Sequence, residues 1–216
     1  AGALAATVAG TFDWGCPRPL ALAAALAAGA AAGAAAAALA GALRAARGIP
    51  EVISTIMLNF IALEAVSFAV HGPLMVPGTG LPQSAPLPPE VRFRAFSSAT
   101  DLHTGLWLAA ASVGAVAILL SRTTLGFRIR AVGAGAEAAR HAGISANWTV
   151  FWALALSGAL AGLGGAVELT GVTHRLYENF SPGYGYTGIA VAMLGRLKPV
   201  GVAAAALFFG ALAAGS

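Results

Sequence analysis

The chain of 216 residues is 58% hydrophobic and only 9% charged, and its mean hydropathy is +0.81. Soluble domains carry about 25% charged residues, so this composition excludes a soluble globule and predicts a membrane protein. The formal charge of +4 comes from basic residues in short loops between apolar runs, which indicates membrane topology rather than nucleic-acid binding. Cys16 is the only cysteine, so an internal disulfide is excluded.

The first long apolar run covers residues 20–43 and contains no charged residue. As a helix it would rise about 36 Å, enough to cross the ~30 Å hydrocarbon core. Gly29 and Gly33 have the GxxxG spacing that lets helices approach closely, although chance in an Ala/Gly-rich run explains the spacing equally well. A second span is predicted at 49–70, where Pro50 and Glu51 suit the first helical turn.

The rest of the chain alternates polar loops with apolar runs. Residues 71–104 are rich in proline and cannot cross a bilayer, because their backbone groups would lack hydrogen-bond partners there. We expect an extramembrane loop that contains a short helix or a hairpin. The elements that follow are predicted spans at 105–120 and 148–170, a second extramembrane loop at 171–186, a short apolar helix at 187–195 and a final run at 200–214. Interrupted helices of this kind often line a transport path.

The distribution of basic residues orients the spans. If the turn that holds Arg44 and Arg47 is cytoplasmic, alternation places residues 121–147 in the cytoplasm and both extramembrane loops outside. Most of the basic residues then lie on the cytoplasmic side: Arg44, Arg47, Arg122, Arg128, Arg130, Arg140, Arg196 and Lys198.

The segment 121–147 carries more charge than a passive connection needs. The stretch AEAARHA at 136–142 favours a helix, Gly143 is placed to end it, and Gly133 and Gly135 allow a sharp turn before it. These features predict a short helix outside the membrane. The alternative is a basic loop that faces lipid headgroups.

Four polar residues in the predicted spans are candidates for lining a translocation path. Thr55 and Asn59 lie on one helical face, Glu64 projects from another side, and Glu168 lies near the end of the fourth span. Polar groups within a span are costly and usually face protein or water. Hydrogen bonding between helices is the alternative role for Thr55. The sequence contains no catalytic constellation, phosphate-binding loop or metal-ligand spacing, so neither an enzyme nor a cofactor is predicted.

Three blocks carry a family resemblance: GIPEVISTIMLNFIA at 48–62, GFRIRAVGAGAEAARHAGIS at 126–145, and the run from Ser157 to Val202. They resemble permease subunits of bacterial ABC importers, in the superfamily of ribose and branched-chain amino acid permeases. The resemblance is closest to nucleoside and simple-sugar permeases. It runs from about Arg44 to the end, with the blocks in the family's order.

The resemblance implies an all-α integral membrane fold, a polytopic bundle with a short cytoplasmic coupling helix and a broken helix near 187–199. It implies a transport subunit in a bacterial plasma membrane that conducts a small neutral solute, such as a nucleoside or simple sugar. The implied partners are ATP-binding cassette subunits, a second permease subunit and an external substrate-binding lipoprotein, with no role for nucleic acid. A branched-chain amino acid permease and a secondary transporter without an ATPase are the alternatives. By this resemblance the chain is an internal piece of a longer permease.

The resemblance also identifies 121–147 as the segment that docks on the ATPase. Glu137, Ala138, Ala139, Arg140 and Gly143 match the family's pattern there, and we add Gly133 before them. The family's usual Asn-Pro is replaced by Gly135-Ala136, which removes a helix-start signal. The first turn of the coupling helix therefore departs from the family's pattern.

Overall fold

The computed structural model describes residues 1–11, 17–76, 81–97, 100–181 and 183–215. Helices dominate these ranges, and a small antiparallel hairpin interrupts them. The helices are α1 (Gly2–Thr11), α2 (Arg18–Arg47), α3 (Glu51–His71), α4 (Gly105–Arg122), α5 (Thr124–Ala134), α6 (Ala136–His141), α7 (Ala146–Glu168), α8 (Tyr184–Leu194) and α9 (Pro199–Ala214), and the strands are β1 (Ala95–Ser97) and β2 (Thr100–His103).

Among the described residues, four helices are long and apolar enough to cross a membrane: α2, α3, α4 and, with the turn that follows it, α7. The predicted fold, an all-α polytopic membrane protein, is confirmed. Helix α2 extends beyond its predicted run at both ends, because Pro19 suits its first turn and the left-handed Gly48 (φ 66°) ends it. Helix α1 has no counterpart among the predicted spans.

Helices α2 and α7 pack antiparallel along a seam of glycines. Gly29 and Gly33 of α2 lie against Gly158 and Gly162 of α7, and a Cβ at Gly33 would come within 2.8 Å of the Gly162 Cα. Backbone contact this close leaves no room for a side chain, so the GxxxG spacing reflects packing rather than chance.

A loop cap covers the C-terminal end of α7. We use this name for residues 72–76, 81–97 and 100–104 together with 169–181. The backbone N–H groups of Ser84, Leu87 and Phe93 donate to the carbonyl oxygens of Leu176 (2.8 Å), His174 (2.9 Å) and Thr170 (2.9 Å), respectively. Leu87 and Leu176 are fully buried beneath these bonds. The Pro-rich loop is thus folded onto α7, with a 3₁₀ turn at Pro89–Val91 and the β1–β2 hairpin.

A π-turn at Leu169–Thr173 joins α7 to the loop cap. The N–H of His174 donates to the Leu169 carbonyl at 2.9 Å, five residues back. Because the helix is wider here, the Thr170 carbonyl oxygen is available to accept the hydrogen bond from the Phe93 N–H. Single π-turns often occur at functional sites.

The opposite end of the bundle is the basic end, formed by the α2–α3 turn, α5, α6 and the start of α7. Arg44 and Glu51 form an ion pair there, and Asn147 lines the same polar pocket. The two ends therefore separate the α2–α3 turn and residues 121–147, which the basic-residue pattern assigned to the cytoplasm, from the two loops that it assigned to the outside.

Candidate coupling segment and translocation path

The coupling segment starts with a sharp reversal at Thr123. Thr123 has an extended backbone (φ −109°, ψ 155°), and its hydroxyl oxygen accepts the N–H of Gly126, which caps the N-terminus of α5. A Cβ at Gly126 would lie 2.6 Å from the Leu120 Cα. Glycine is thus required for α5 to fold back on α4. Neither α5 nor this role of Gly126 was predicted from the sequence, although a threonine three residues before a glycine is a weak signal of such a cap.

The turn between α5 and α6 differs from the predicted one. Gly133 lies inside α5, and a Cβ there would meet nothing within 4 Å. The chain breaks only at Gly135, whose φ of 178° is an extended conformation open to any residue. The predicted role of Gly133 in the turn is therefore wrong.

The short helix predicted at 136–142 is present as α6. No side chain caps its start, and the N–H of Ala139 donates to the Gly135 carbonyl at 3.0 Å, so the first turn forms without the Asn-Pro signal. Gly143 ends the helix in the left-handed conformation (φ 79°). The Gly143 N–H donates to Arg140 and the Ile144 N–H to Ala139, both at 2.9 Å, which is a Schellman motif.

Helix α6 presents a compact charged surface. Glu137 and Arg140 form an ion pair, and their side chains are 68% and 69% exposed. The His141 Nε2 lies 3.7 Å from the Glu137 carboxylate. Ala138 is also exposed, whereas Ala139 is buried beneath the helix. Five of the predicted coupling residues thus form one short helix with its cap, and Gly133 stands apart on α5.

Replacing Gly143 by valine is expected to loosen α6 while leaving the bundle intact. A β-branched residue in the left-handed region costs about 1–2 kcal/mol, and the surrounding space is open, so the effect is confined to the backbone. Hydrogen exchange of the amides at 136–144 should accelerate about tenfold, since 1.36 kcal/mol corresponds to one decade. Gly133→Ala is the control and should slow exchange slightly or not change it. Equal exchange in the wild type and Gly143→Val would contradict the assignment.

The candidate path residues do not converge within the described structure. The Thr55 hydroxyl donates to the Glu51 carbonyl of its own helix at 2.9 Å, and the residue is exposed on α3. Asn59 and Glu64 are exposed on α3. Glu168 lies at the other end of α7, half-buried beside the loop cap, where its carboxylate interacts electrostatically with Tyr184. The four residues mark different depths along the bundle rather than one site.

His174 is a titratable group inside the loop cap. Its Nδ1 is buried and has no hydrogen-bond partner among the described residues. Burial, followed by the charge of Arg92 and then by that of His103, shifts the pKa of His174 below its ordinary value of 6.5, and backbone hydrogen bonds to Leu169 and Thr170 oppose this shift. The neutral ring is therefore the form that fits the folded cap.

The loop cap is expected to loosen on acidification. Because the folded state binds the His174 proton less tightly than the unfolded state, stability is complete above pH 6.5 and declines as the pH falls below it. Limited proteolysis of the 81–97 segment should be faster at pH 5.5 than at 7.5. His174→Asn keeps a residue that tolerates the left-handed backbone (φ 54°) and should remove this pH dependence. If His174→Asn kept the pH dependence of proteolysis, another titratable group would be responsible for it.

A family match extends over the whole chain. The profile of the family described as "Branched-chain amino acid transport system / permease component" matches residues 1–216. The chain belongs to this permease family. The glycine seam, the loop cap and α6 are therefore features of a transport-system permease component. The predicted resemblance is confirmed.

Named relatives of the permease are sugar and nucleoside transporters. It is 39% identical over 183 residues to a glucose ABC transporter permease protein of Haloferax volcanii, covering 80% of this chain and 48% of the relative. It is 38% identical over 182 residues to a nucleoside ABC transporter permease protein of Lactococcus lactis, covering 80% and 50%. It is 35% identical over 175 residues to a guanosine ABC transporter permease protein of Bacillus subtilis, covering 78% and 49%.

The permease spans about half the length of the curated relatives it matches. No solved structure matches it.

Proposed function

We propose that the chain forms part of the translocation path of an ATP-driven importer for a small neutral solute, either a nucleoside or a simple sugar. The observation that carries this proposal is α6, an exposed and capped charged helix at the basic end of a permease-family bundle. A carrier without an ATPase has no need for a docking helix at this position. The names of the relatives support the solute class.

Helix α6 is the proposed contact with the ATP-binding cassette subunits. Glu137, Ala138 and Arg140 supply the contact surface, Ala139 anchors the helix to the bundle, and Gly143 fixes its end. Gly133 is proposed to border this surface from α5. Only residues 142–145 separate α6 from α7, so a force on α6 passes directly into α7.

Helix α7 is proposed to transmit the movement of α6 to the loop cap. Its glycine seam with α2 has little side-chain interdigitation, which permits small sliding movements of packed helices. Its C-terminal end continues into the π-turn of the loop cap, where the carbonyl oxygens of Thr170 and His174 accept the N–H groups of Phe93 and Leu87. Closure of the ATPase pair would thus reach the cap through one continuous helix, and access to the path would alternate between the two sides.

The orientation follows from charge. We place the basic end in the cytoplasm and the loop cap outside, because positive residues favour the cytoplasmic side. Thr55 and Asn59 then face the inner half of the path, and Glu64 and Glu168 face the outer half. A second permease subunit, identical or different, would complete the path, and an external binding lipoprotein would deliver solute to the cap. The proposed location is the plasma membrane of a bacterium.

Substrate competition tests this proposal. The full-length permease, with its ATPases and binding protein in proteoliposomes, should accumulate labelled nucleoside or glucose in preference to leucine. The family description favours the runner-up, a branched-chain amino acid importer, and preferential leucine uptake would establish it. Preference for a charged amino acid would contradict the neutral-solute assignment.

A further inference from the structure

Helix α8 is too short to reach from one end of the bundle to the other. Its eleven residues rise about 16 Å, whereas the twenty-three residues of α7 rise about 34 Å. Both helices have one end at the loop cap, because α7 ends at the π-turn and α8 starts four residues after Phe180, which is buried in one cluster with Leu87 and Leu176. The turn after α8, residues 195–198, therefore lies no deeper than the middle of the bundle.

This turn has a fixed and compact backbone. Arg196 and Leu197 both adopt the left-handed conformation (φ 55° and 57°). The Arg196 N–H donates to Met193 and the Leu197 N–H to Ala192, both at 3.0 Å. A Cβ at Gly201 would lie 3.1 Å from the Gly195 carbonyl carbon, so the first turn of α9 packs directly on the end of α8. The turn is thus held at its depth by both helices.

The turn carries two positive charges. Arg196 and Lys198 are exposed, and neither forms an ion pair within the described ranges. The basic-residue pattern assigned both to the cytoplasmic surface, but α8 is too short to bring them there from the loop cap. Charged side chains at mid-depth are costly in hydrocarbon and usually face a water-filled cavity.

We propose that the turn Gly195–Lys198 lines the middle of the translocation path, where Arg196 and Lys198 bind oxygen atoms of the passing solute. Both side chains only donate hydrogen bonds, so their ligand is an oxygen-rich solute, such as the carbonyls of a nucleobase or the oxygens of a sugar. The left-handed turn and the α8–α9 contact hold these donors in place. This inference rests on the proposed function and names the contacts within its path.

A single-cysteine experiment tests the location of the turn. Leu197 is 71% exposed, so Leu197→Cys in a full-length permease with Cys16→Ala and no other cysteine offers a thiol to a membrane-impermeant methanethiosulfonate. Two matched variants show the labelling expected for the two alternative locations of the turn. Ser121→Cys reports the basic end, and Ile118→Cys, 62% exposed on apolar α4, reports a lipid-facing site.

In the assembled importer, the Leu197→Cys thiol should be labelled, and saturating transported solute should slow labelling at least fivefold. Labelling without solute protection, as expected for Ser121→Cys, would place the turn at an aqueous surface outside the path. Absence of labelling, as expected for Ile118→Cys, would place it against lipid. Either result overturns the inference.

Neutral variants test the donors themselves. Arg196→Gln and Lys198→Gln should each lower the rate of solute uptake about tenfold, while co-purification of the permease with its ATPase stays near wild type. Wild-type uptake in both variants would overturn the role of the charges. If the wild-type importer shows no ATP-driven uptake, the proposed function fails first, whereas a competent wild type with an unprotected Leu197→Cys refutes only this inference.

Discussion

Gly162→Leu will separate α2 from α7 and abolish the folded permease, whereas Gly164→Leu, two residues away, will be tolerated. A Cβ at Gly162 would lie 3.0 Å from the Gly33 Cα, and still closer to the Gly29 carbonyl oxygen, both rigid backbone. At Gly164 a Cβ meets nothing within 4 Å. Overpacking against backbone costs about 3 kcal/mol, a large share of the stability of a membrane domain.

The measurement is the monodisperse fraction after detergent extraction, together with the midpoint of thermal unfolding. We expect Gly162→Leu to lose most of the monodisperse protein and Gly164→Leu to match the wild type. Both variants add the same apolar side chain to the same helix, so insertion and hydrophobicity are controlled. Equal behaviour of the two variants would show that the α2–α7 seam does not hold the bundle together.

The second large effect is expected at α6. Exchanging its charges, Glu137→Arg with Arg140→Glu, should abolish association with the ATPase subunits. The exchange keeps the net charge and the i,i+3 ion pair, so α6 loses only a few tenths of a kcal/mol through the helix dipole. What changes is the pattern of charge that α6 presents to a partner.

Co-purification of the full-length permease with its ATPase measures this effect. Arg175→Glu, an exposed change in the loop cap at the other end of the bundle, should leave association unchanged. If the exchanged α6 still retained the ATPase, a basic loop that faces lipid headgroups would become the better interpretation of residues 121–147.

The features that the sequence predicts well depend on local composition. Helices α2, α3, α4 and α7 follow from long apolar runs, and α6 follows from seven helix-favouring residues ahead of Gly143. These signals need no knowledge of distant neighbours. The Gly29–Gly33 spacing was ambiguous for the same reason, because its meaning depends on which helix packs against it.

The features that the sequence did not reveal depend on distant contacts. The Pro-rich loop folds because its N–H groups find carbonyls on a π-turn far along the chain. Helix α5 forms because Gly126 permits a reversal on α4. The depth of Arg196 and Lys198 depends on the length of α8 and on where it starts, which alternation of spans cannot supply.

The candidate residues for the path also depend on contacts that the sequence does not reveal. Helical periodicity places Thr55 and Asn59 on one face, and the structure keeps them there. Periodicity does not say which helix that face meets, and the described chain leaves it exposed. The role of these residues therefore remains a proposal that uptake assays on Asn59→Ala and Glu168→Gln will decide.

The most direct test of the account is whether transport requires the ATPase. Proteoliposomes that contain the full-length permease and its binding protein should be assayed for solute accumulation in three states: without ATPase, with ATPase and ATP, and with ATPase and a non-hydrolysable ATP analogue. We expect accumulation against a gradient only with ATPase and ATP. Solute movement through the permease alone, at a rate unchanged by the ATPase, would contradict it and identify a carrier that works without ATP.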